Sequence, residues 1–211
     1  MNLPAFYPIL DTEVALRRGI DPVKAAQQIL DAGARILQYR HKGFLSREAF
    51  GWLENIAALT QAAGAILVVN DRADLAKMFD AALHLGQDDL LPSIARRVVE
   101  PDTIVGYSTH NEAQLRAANE EPADYLALGP LFGTVTKENP DPTVGLDDFR
   151  RLRPLSKRPL VAIGGITRAN AMQAIDAGAD SVAVIGDLFP EDGNVGSRIR
   201  EWLRLFSPLT R

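Results

Sequence analysis

The sequence contains no cysteine, which rules out disulfides, a thiolate nucleophile and a zinc–thiolate cluster, and suits a reducing compartment. No apolar run approaches the ~18 residues that a membrane-crossing helix requires. The opening MNLPAFYPIL has neither a basic start nor a long apolar stretch, so no secretory signal is expected. The formal net charge is only -4. No global basic field therefore draws the chain to nucleic acid or to an anionic membrane, and any anion site must be built locally. The histidines, His41, His84 and His110, show no metal-ligand spacing, and His84 reads as a packed strand residue below the functional end of its strand. Long linkers and low-complexity segments are absent as well. Together these absences predict a cytoplasmic protein with no nucleic-acid and no membrane partner.

What is present is a repeated rhythm. The 211 residues are 46% hydrophobic and 24% charged, globular composition with ample material for a core. Eight short apolar runs recur, each followed by turn residues and then a helical pattern: FYPILD, RILQYR, AILVVN, AALHLG, TIVGYS, YLALGP, PLVAIGG and SVAVIG. Most are apolar at consecutive positions, as strands are when both faces are covered in a parallel sheet. Between them lie amphipathic stretches with start signals: a proline in the first turn of DPVKAAQQILDAGA, and Ser46, Asn111 and Thr167 as N-caps. Eight such units predict an α/β fold, a single (β/α)8 TIM barrel over residues 1–211. A doubly wound open sheet is the alternative. The repeated DAGA, Asp31 to Ala34 and Asp176 to Ala179, fits a repeated helix-to-strand turn and favours the barrel.

In such a barrel the functional residues lie at the C-terminal ends of the strands. The first strand ends in Asp11. The second ends in Gln38, Arg40 and Lys42, and period two points all three to one side, where they can hold a polyanion; a solvated basic loop would look the same. The third ends in Asn70, Asp71 and Arg72, and the fourth runs into Gln87, Asp88 and Asp89. Two carboxylates from neighbouring strand ends can share Mg²⁺ with phosphate oxygens, although aspartates at these positions also serve as helix caps. Ser108 and His110 follow the fifth strand. The sixth leads into a long Gly/Pro/Thr-rich segment with Thr134, Thr136 and Lys137, suited to phosphate and to a lid. Gly164 and Gly165 end the seventh strand and Gly186 follows the eighth, where such barrels bind phosphate through backbone N–H groups. Two anion-binding regions suggest two small phosphorylated substrates, or one substrate with two phosphates.

From about Tyr7 to Leu188 the segments QYRHK, NDR, HLGQDD, GYSTHN, GPLFGTVTK and VAIGGI resemble, in order, those of the thiamine phosphate synthase family. The resemblance implies a (β/α)8 barrel that couples hydroxymethylpyrimidine diphosphate to hydroxyethylthiazole phosphate with release of pyrophosphate. It implies that Gln38, Tyr39, Arg40, His41, Lys42, Asn70, Ser108 and Lys137 bind the pyrimidine diphosphate, with Arg40, Lys42, Ser108 and Lys137 catalytic. Asp71 and Asp89 would hold Mg²⁺. Thr134, Val135, Thr136, Gly165, Ile185 and Gly186 would cradle the thiazole phosphate. Gly186 stands where the family usually has serine, and Asp88-Asp89 where it usually has Glu-Asp. A thiazole tautomerase on the same barrel, using His110 as acid or base, and a non-catalytic phosphate-ligand sensor are the alternatives. Phe50, Trp52 and Leu53 on an outer helix leave a homo-oligomer open. Trp202, Leu203, Leu205 and Phe206 form an apolar stripe that closes the barrel.

Overall fold

The structure, a computed structural model, describes residues 3–133 and 142–207. Each apolar run forms a strand: β1 (Phe6–Asp11), β2 (Ile36–Arg40), β3 (Ile66–Asn70), β4 (Ala82–Leu85), β5 (Val105–Thr109), β6 (Tyr125–Leu128), β7 (Leu160–Ile163) and β8 (Ser181–Val184). All are parallel, in sequence order, and β1 pairs with β8 (Phe6↔Val182, Tyr7↔Ala183) to close the barrel. The open sheet is thereby excluded. The barrel is ringed by α1 (Thr12–Arg17), α2 (Pro22–Asp31), α3 (Arg47–Ala62), α4 (Ala73–Met78), α5 (Pro92–Ala95), α6 (Glu112–Ala118), α7 (Gly145–Leu152), α8 (Ala171–Asp176) and α9 (Val195–Phe206). Among the described residues no helix is long and apolar enough to cross a membrane.

Alternation along each strand creates two cores. The inner one fills the barrel with Tyr7, Ile9, Ile36, Val68, Ala82, Tyr125, Ala127, Val161 and Ala183. The larger outer one seals barrel to helices and contains Leu10, Leu37, Tyr39, Val69, Leu83 and Leu126. Leu53 is buried in it, and Phe50 and Trp52 pack against it, so these three serve their own barrel.

The start and stop signals explain the helix limits. Ser46 and Asn111 accept from the N–H groups of Ala49 and Gln114 at 3.1 and 3.0 Å, satisfying donors that have no partner within the helix. Thr167 does not cap α8. It opens a turn, its carbonyl accepting from Asn170 and Ala171, and Asn170 occupies the cap position. The two DAGA repeats adopt one geometry. Gly33 and Gly178 have φ of 107° and 101°, and the N–H groups of Ala34 and Ala179 reach back to the carbonyls of Ile29 and Ala174. That turn returns the chain from helix to strand and requires a residue without Cβ at its left-handed position.

Candidate active site

The inward positions at the C-terminal ends of the strands surround a cavity of about 240 Å³. Strand β2 delivers Gln38 and Arg40 to it, β3 delivers Asn70, β4 His84 and β5 Ser108, with Lys42, Asp71 and Asp89 on the loops above. A second compartment of about 340 Å³ lies after β7 and β8 and is lined by Gly164, Gly165, Thr167, Ile185, Gly186 and Asp187. Ile163, Gly164, Ala183 and Ile185 border both. The mouth thus holds two adjacent compartments, with charged side chains around one and a backbone-rich lining around the other.

Arg40 is held by Asp11, its register partner on β1, in an ion pair. Asp11 is only 2% exposed, and its other oxygen caps α1 by accepting from Val14 N at 2.9 Å. Lys42 pairs with Asp71. Asp71 occupies the left-handed region at φ 66°, a conformation that aspartate tolerates and that recurs at functional sites. Its N–H is fixed by the His84 carbonyl at 2.8 Å. Helix capping does not explain this residue, because Arg72 is the cap position of α4 and no side chain caps that helix.

Burial and the neighbouring Asp89 carboxylate push the Asp71 carboxyl up to about 6, against the opposing pull of Lys42. A largely buried carboxylate beside a second one is a donor set suited to a hard divalent cation. Asp89 is the partner of Asp71 in this interaction, whereas Asp88 is exposed. A second group without a partner lies close by. Asn70 Nδ2 is buried with no hydrogen bond among the described residues, and Asn70 lines the cavity. A bound polar ligand would satisfy it.

His84 differs from its sequence reading. It is buried, but it lines the cavity, with Nδ1 2.9 Å from Tyr125 Oη and Nε2 2.9 Å from Ser108 Oγ. Burial pushes its pKa down to about 4, so the ring is neutral at physiological pH. Tyr125 Oη lies 2.9 Å from Tyr7 Oη, which accepts from Gln38 Nε2 at 2.8 Å. Burial raises the pKa of both phenols, so both keep their protons. Sequence reasoning missed these two tyrosines. The available signal was a phenol at an inward strand position, since a buried tyrosine hydroxyl nearly always finds a partner.

The structure does not bring Tyr39 and His41 to the cavity. Tyr39 points outward under α3 and donates its hydroxyl to the Ala49 carbonyl at 2.8 Å. His41 Nδ1 lies 2.7 Å from Thr12 Oγ1 and Nε2 lies 3.1 Å from the Phe44 carbonyl, so this ring ties the loop after β2 to α1. Alternation is the physical reason, because residues 39 and 41 face away from 38, 40 and 42. His110 lines the cavity and donates from Nδ1 to the Gly129 carbonyl at 2.6 Å. Thr134, Val135, Thr136 and Lys137, and with them the lid reading, lie outside the described residues.

Residues 6–188 match the family described as thiamine monophosphate synthase. The chain belongs to that family. It is 46% identical over 194 residues to a thiamine-phosphate synthase of Koribacter versatilis, covering 89% of this chain and 90% of the relative. It is 42% identical over 167 residues to that of Chlorobium phaeovibrioides, covering 79% and 80%. Among solved structures, a thiamine phosphate pyrophosphorylase from Pyrococcus furiosus superimposes with a TM-score of 0.84 at 28% identity, covering 98% of this chain and 96% of that one. For a thiamine monophosphate synthase family member, the pairing of a charged compartment with a backbone-lined one is the feature that any account of function must use.

Proposed function

We propose that this protein is a thiamine-phosphate synthase, a transferase that joins hydroxymethylpyrimidine diphosphate to hydroxyethylthiazole phosphate and releases pyrophosphate. One observation carries the reading: a cavity bearing Arg40, Lys42, Asp71 and Asp89 lies beside the compartment around Gly165 and Gly186 and shares Ile163, Gly164, Ala183 and Ile185 with it. The first suits a diphosphate and the second a monophosphate bound by backbone N–H groups.

In the reaction, the bond from the pyrimidine methylene to the diphosphate oxygen breaks, and its electron pair leaves with pyrophosphate. The thiazole nitrogen donates its lone pair to the same carbon. The aminopyrimidine ring delocalises the positive charge between the two events, so no nucleophilic residue is needed. The work of the protein is to neutralise the departing charge and to hold the two reactants in line. Arg40 and Lys42 neutralise, Ser108 donates a hydrogen bond and Asn70 offers its unpartnered amide. Gln38 faces the pyrimidine. Gly165, Ile185 and Gly186 border the thiazole phosphate. Asp71 and Asp89 are the residues that would hold Mg²⁺, which supplies further positive charge to the leaving pyrophosphate when bound. Thr134, Val135, Thr136 and Lys137 complete the reading as ligands of the two phosphates.

The test is formation of thiamine phosphate and pyrophosphate from the two purified substrates, with and without Mg²⁺. Product is expected only with the metal. In Asp71→Asn, kcat/KM is expected to fall by about 10²–10³-fold, the scale on which one electrostatic stabiliser is lost. Isomerisation of the thiazole phosphate without condensation would transfer the assignment to a tautomerase. Tight binding of either substrate without turnover would make the protein a sensor.

A further inference from the structure

Five side chains from five strands form a continuous hydrogen-bonded chain across the barrel floor: Gln38, Tyr7, Tyr125, His84 and Ser108, with every link between 2.8 and 2.9 Å. The two ends reach the cavity from β2 and β5, three strands apart around the barrel. Tyr125, at the centre, is fully buried, and room for its ring is made by Gly106 on β5, where an added Cβ would come within 2.1 Å of the tyrosine ring. A glycine inside a strand that admits a ring from the next strand is a costly choice unless that ring has a task.

Hydrogen-bond accounting gives the chain a direction. Gln38 Nε2 donates to the Tyr7 hydroxyl. Among the described residues the Tyr7 proton then has one acceptor within reach, Tyr125 Oη. Tyr125 must in turn donate to His84 Nδ1, which leaves the imidazole proton on Nε2 and directs it at Ser108 Oγ. In the reverse order, with Gln38 still donating, Tyr7 would accept from both sides and its own buried proton would be orphaned, a cost comparable to a lost hydrogen bond.

On the reading that this barrel is a thiamine-phosphate synthase, we infer that Tyr7, Tyr125 and His84 are positioning residues that polarise the cavity, fixing Gln38 to present its carbonyl oxygen and Ser108 to present its hydroxyl proton. Gln38 lines the cavity, and with Nε2 engaged by Tyr7 its Oε1 is the group left to accept from a ligand. The Ser108 proton is released for a ligand because its oxygen already accepts from His84. One end thus suits the exocyclic amino group of an aminopyrimidine, and the other a diphosphate oxygen. A substrate entering with these ends exchanged would meet donor against donor at Ser108 and acceptor against acceptor at Gln38, so the chain selects one orientation of the pyrimidine.

Two measurements test this. The first needs no substrate: long-range proton–nitrogen correlation spectra of the histidine rings in the intact protein, with His41 and His110 identified through His41→Gln and His110→Gln. His84 is expected to carry its proton on Nε2, and a proton on Nδ1 would overturn the inference. The second is Tyr125→Phe, which cuts the chain at its centre and leaves Ser108 free to turn its proton back to His84. The His84 tautomer is expected to become mixed. For the pyrimidine diphosphate, kcat/KM is expected to drop about tenfold, the scale of one hydrogen bond, while KM for the thiazole phosphate stays constant. Equal changes for both substrates, or an unmoved tautomer, would reduce the tyrosines to core packing. If Tyr125→Phe does not fold, the tautomer in the intact protein still decides. Absence of turnover in the intact protein, with the proton on Nε2, would refute the synthase reading and leave the chain's polarity standing.

Discussion

Asp11 serves two partners at once: one oxygen caps α1 at Val14 N and the other holds Arg40. The two substitutions at this position separate the roles. Asp11→Asn retains a capping oxygen and removes the charge, while Asp11→Ala removes both. Because Asp11 is buried but Arg40 is partly exposed, solvent screens part of the ion pair, and the alanine variant is expected to lose about 2–3 kcal/mol. Asparagine should recover about 1 kcal/mol of that, the usual worth of a cap. Urea denaturation of the two variants checks the difference; equal losses would show that the cap contributes nothing. At this scale the sequence is legible where a rule of alternation applies. Gln38 and Arg40 at the end of β2, and Lys42 just beyond it, read as facing one side because of their spacing, and all three line the cavity. The same spacing turns Tyr39 and His41 away, and only the family likeness had grouped them with the ligands. The tyrosine floor is not legible, because Tyr7 and Tyr125 stand 118 positions apart and each reads alone as an ordinary core aromatic.

At the scale of elements, the loop after β7 shows how a backbone-lined pocket is built. Gly165 has φ 64°, and a Cβ there would meet the Gly133 carbonyl oxygen at 2.4 Å and Phe132 at 2.8 Å. The loop after β6 therefore lies directly on it, tied by Phe132 N to the Gly164 carbonyl at 3.0 Å. Gly165→Ala incurs both the left-handed strain, about 1–3 kcal/mol, and the displacement of that loop. We expect KM for the thiazole phosphate to rise at least about tenfold, since 1.4 kcal/mol of lost binding suffices, with a smaller change for the pyrimidine diphosphate. Steady-state kinetics with each substrate varied in turn decides it; an unchanged thiazole phosphate KM would place that phosphate elsewhere. Behind the neighbouring loop, Arg168 and Arg198 both pair with Asp187 and Glu201, bracing the residue that follows Gly186. Element type is legible throughout because apolar runs and caps are local signals. The start of α8 is less so. Thr167 and Asn170 are both good capping residues, and the choice between them depends on the turn in which Thr167 N donates to Asn170 Oδ1 at 2.7 Å.

For the whole molecule the decisive event is closure, the pairing of the first strand with the last. The last helix covers that seam. Trp202 is fully buried, with its ring 5.1 Å from Phe6 at the start of β1 and 6.3 Å from Phe206. The C-terminal apolar stripe is therefore committed to the base of the barrel, opposite the cavity mouth. This separation predicts that stability and activity can be uncoupled. Removing the indole in Trp202→Ala should cost about 3–5 kcal/mol. For a chain of this length that corresponds to a fall in Tm of roughly 6–20 °C. Well below the new Tm, kcat and both KM values should match the parent, because the groups that touch substrate hang from the opposite ends of the strands. Thermal denaturation followed by circular dichroism, with kinetics at a temperature where both proteins are folded, tests the two halves together. A changed KM in the folded variant would mean that closure at the base sets the geometry of the mouth. The barrel would then have to be treated as one mechanical unit rather than as a stable base carrying an adjustable top.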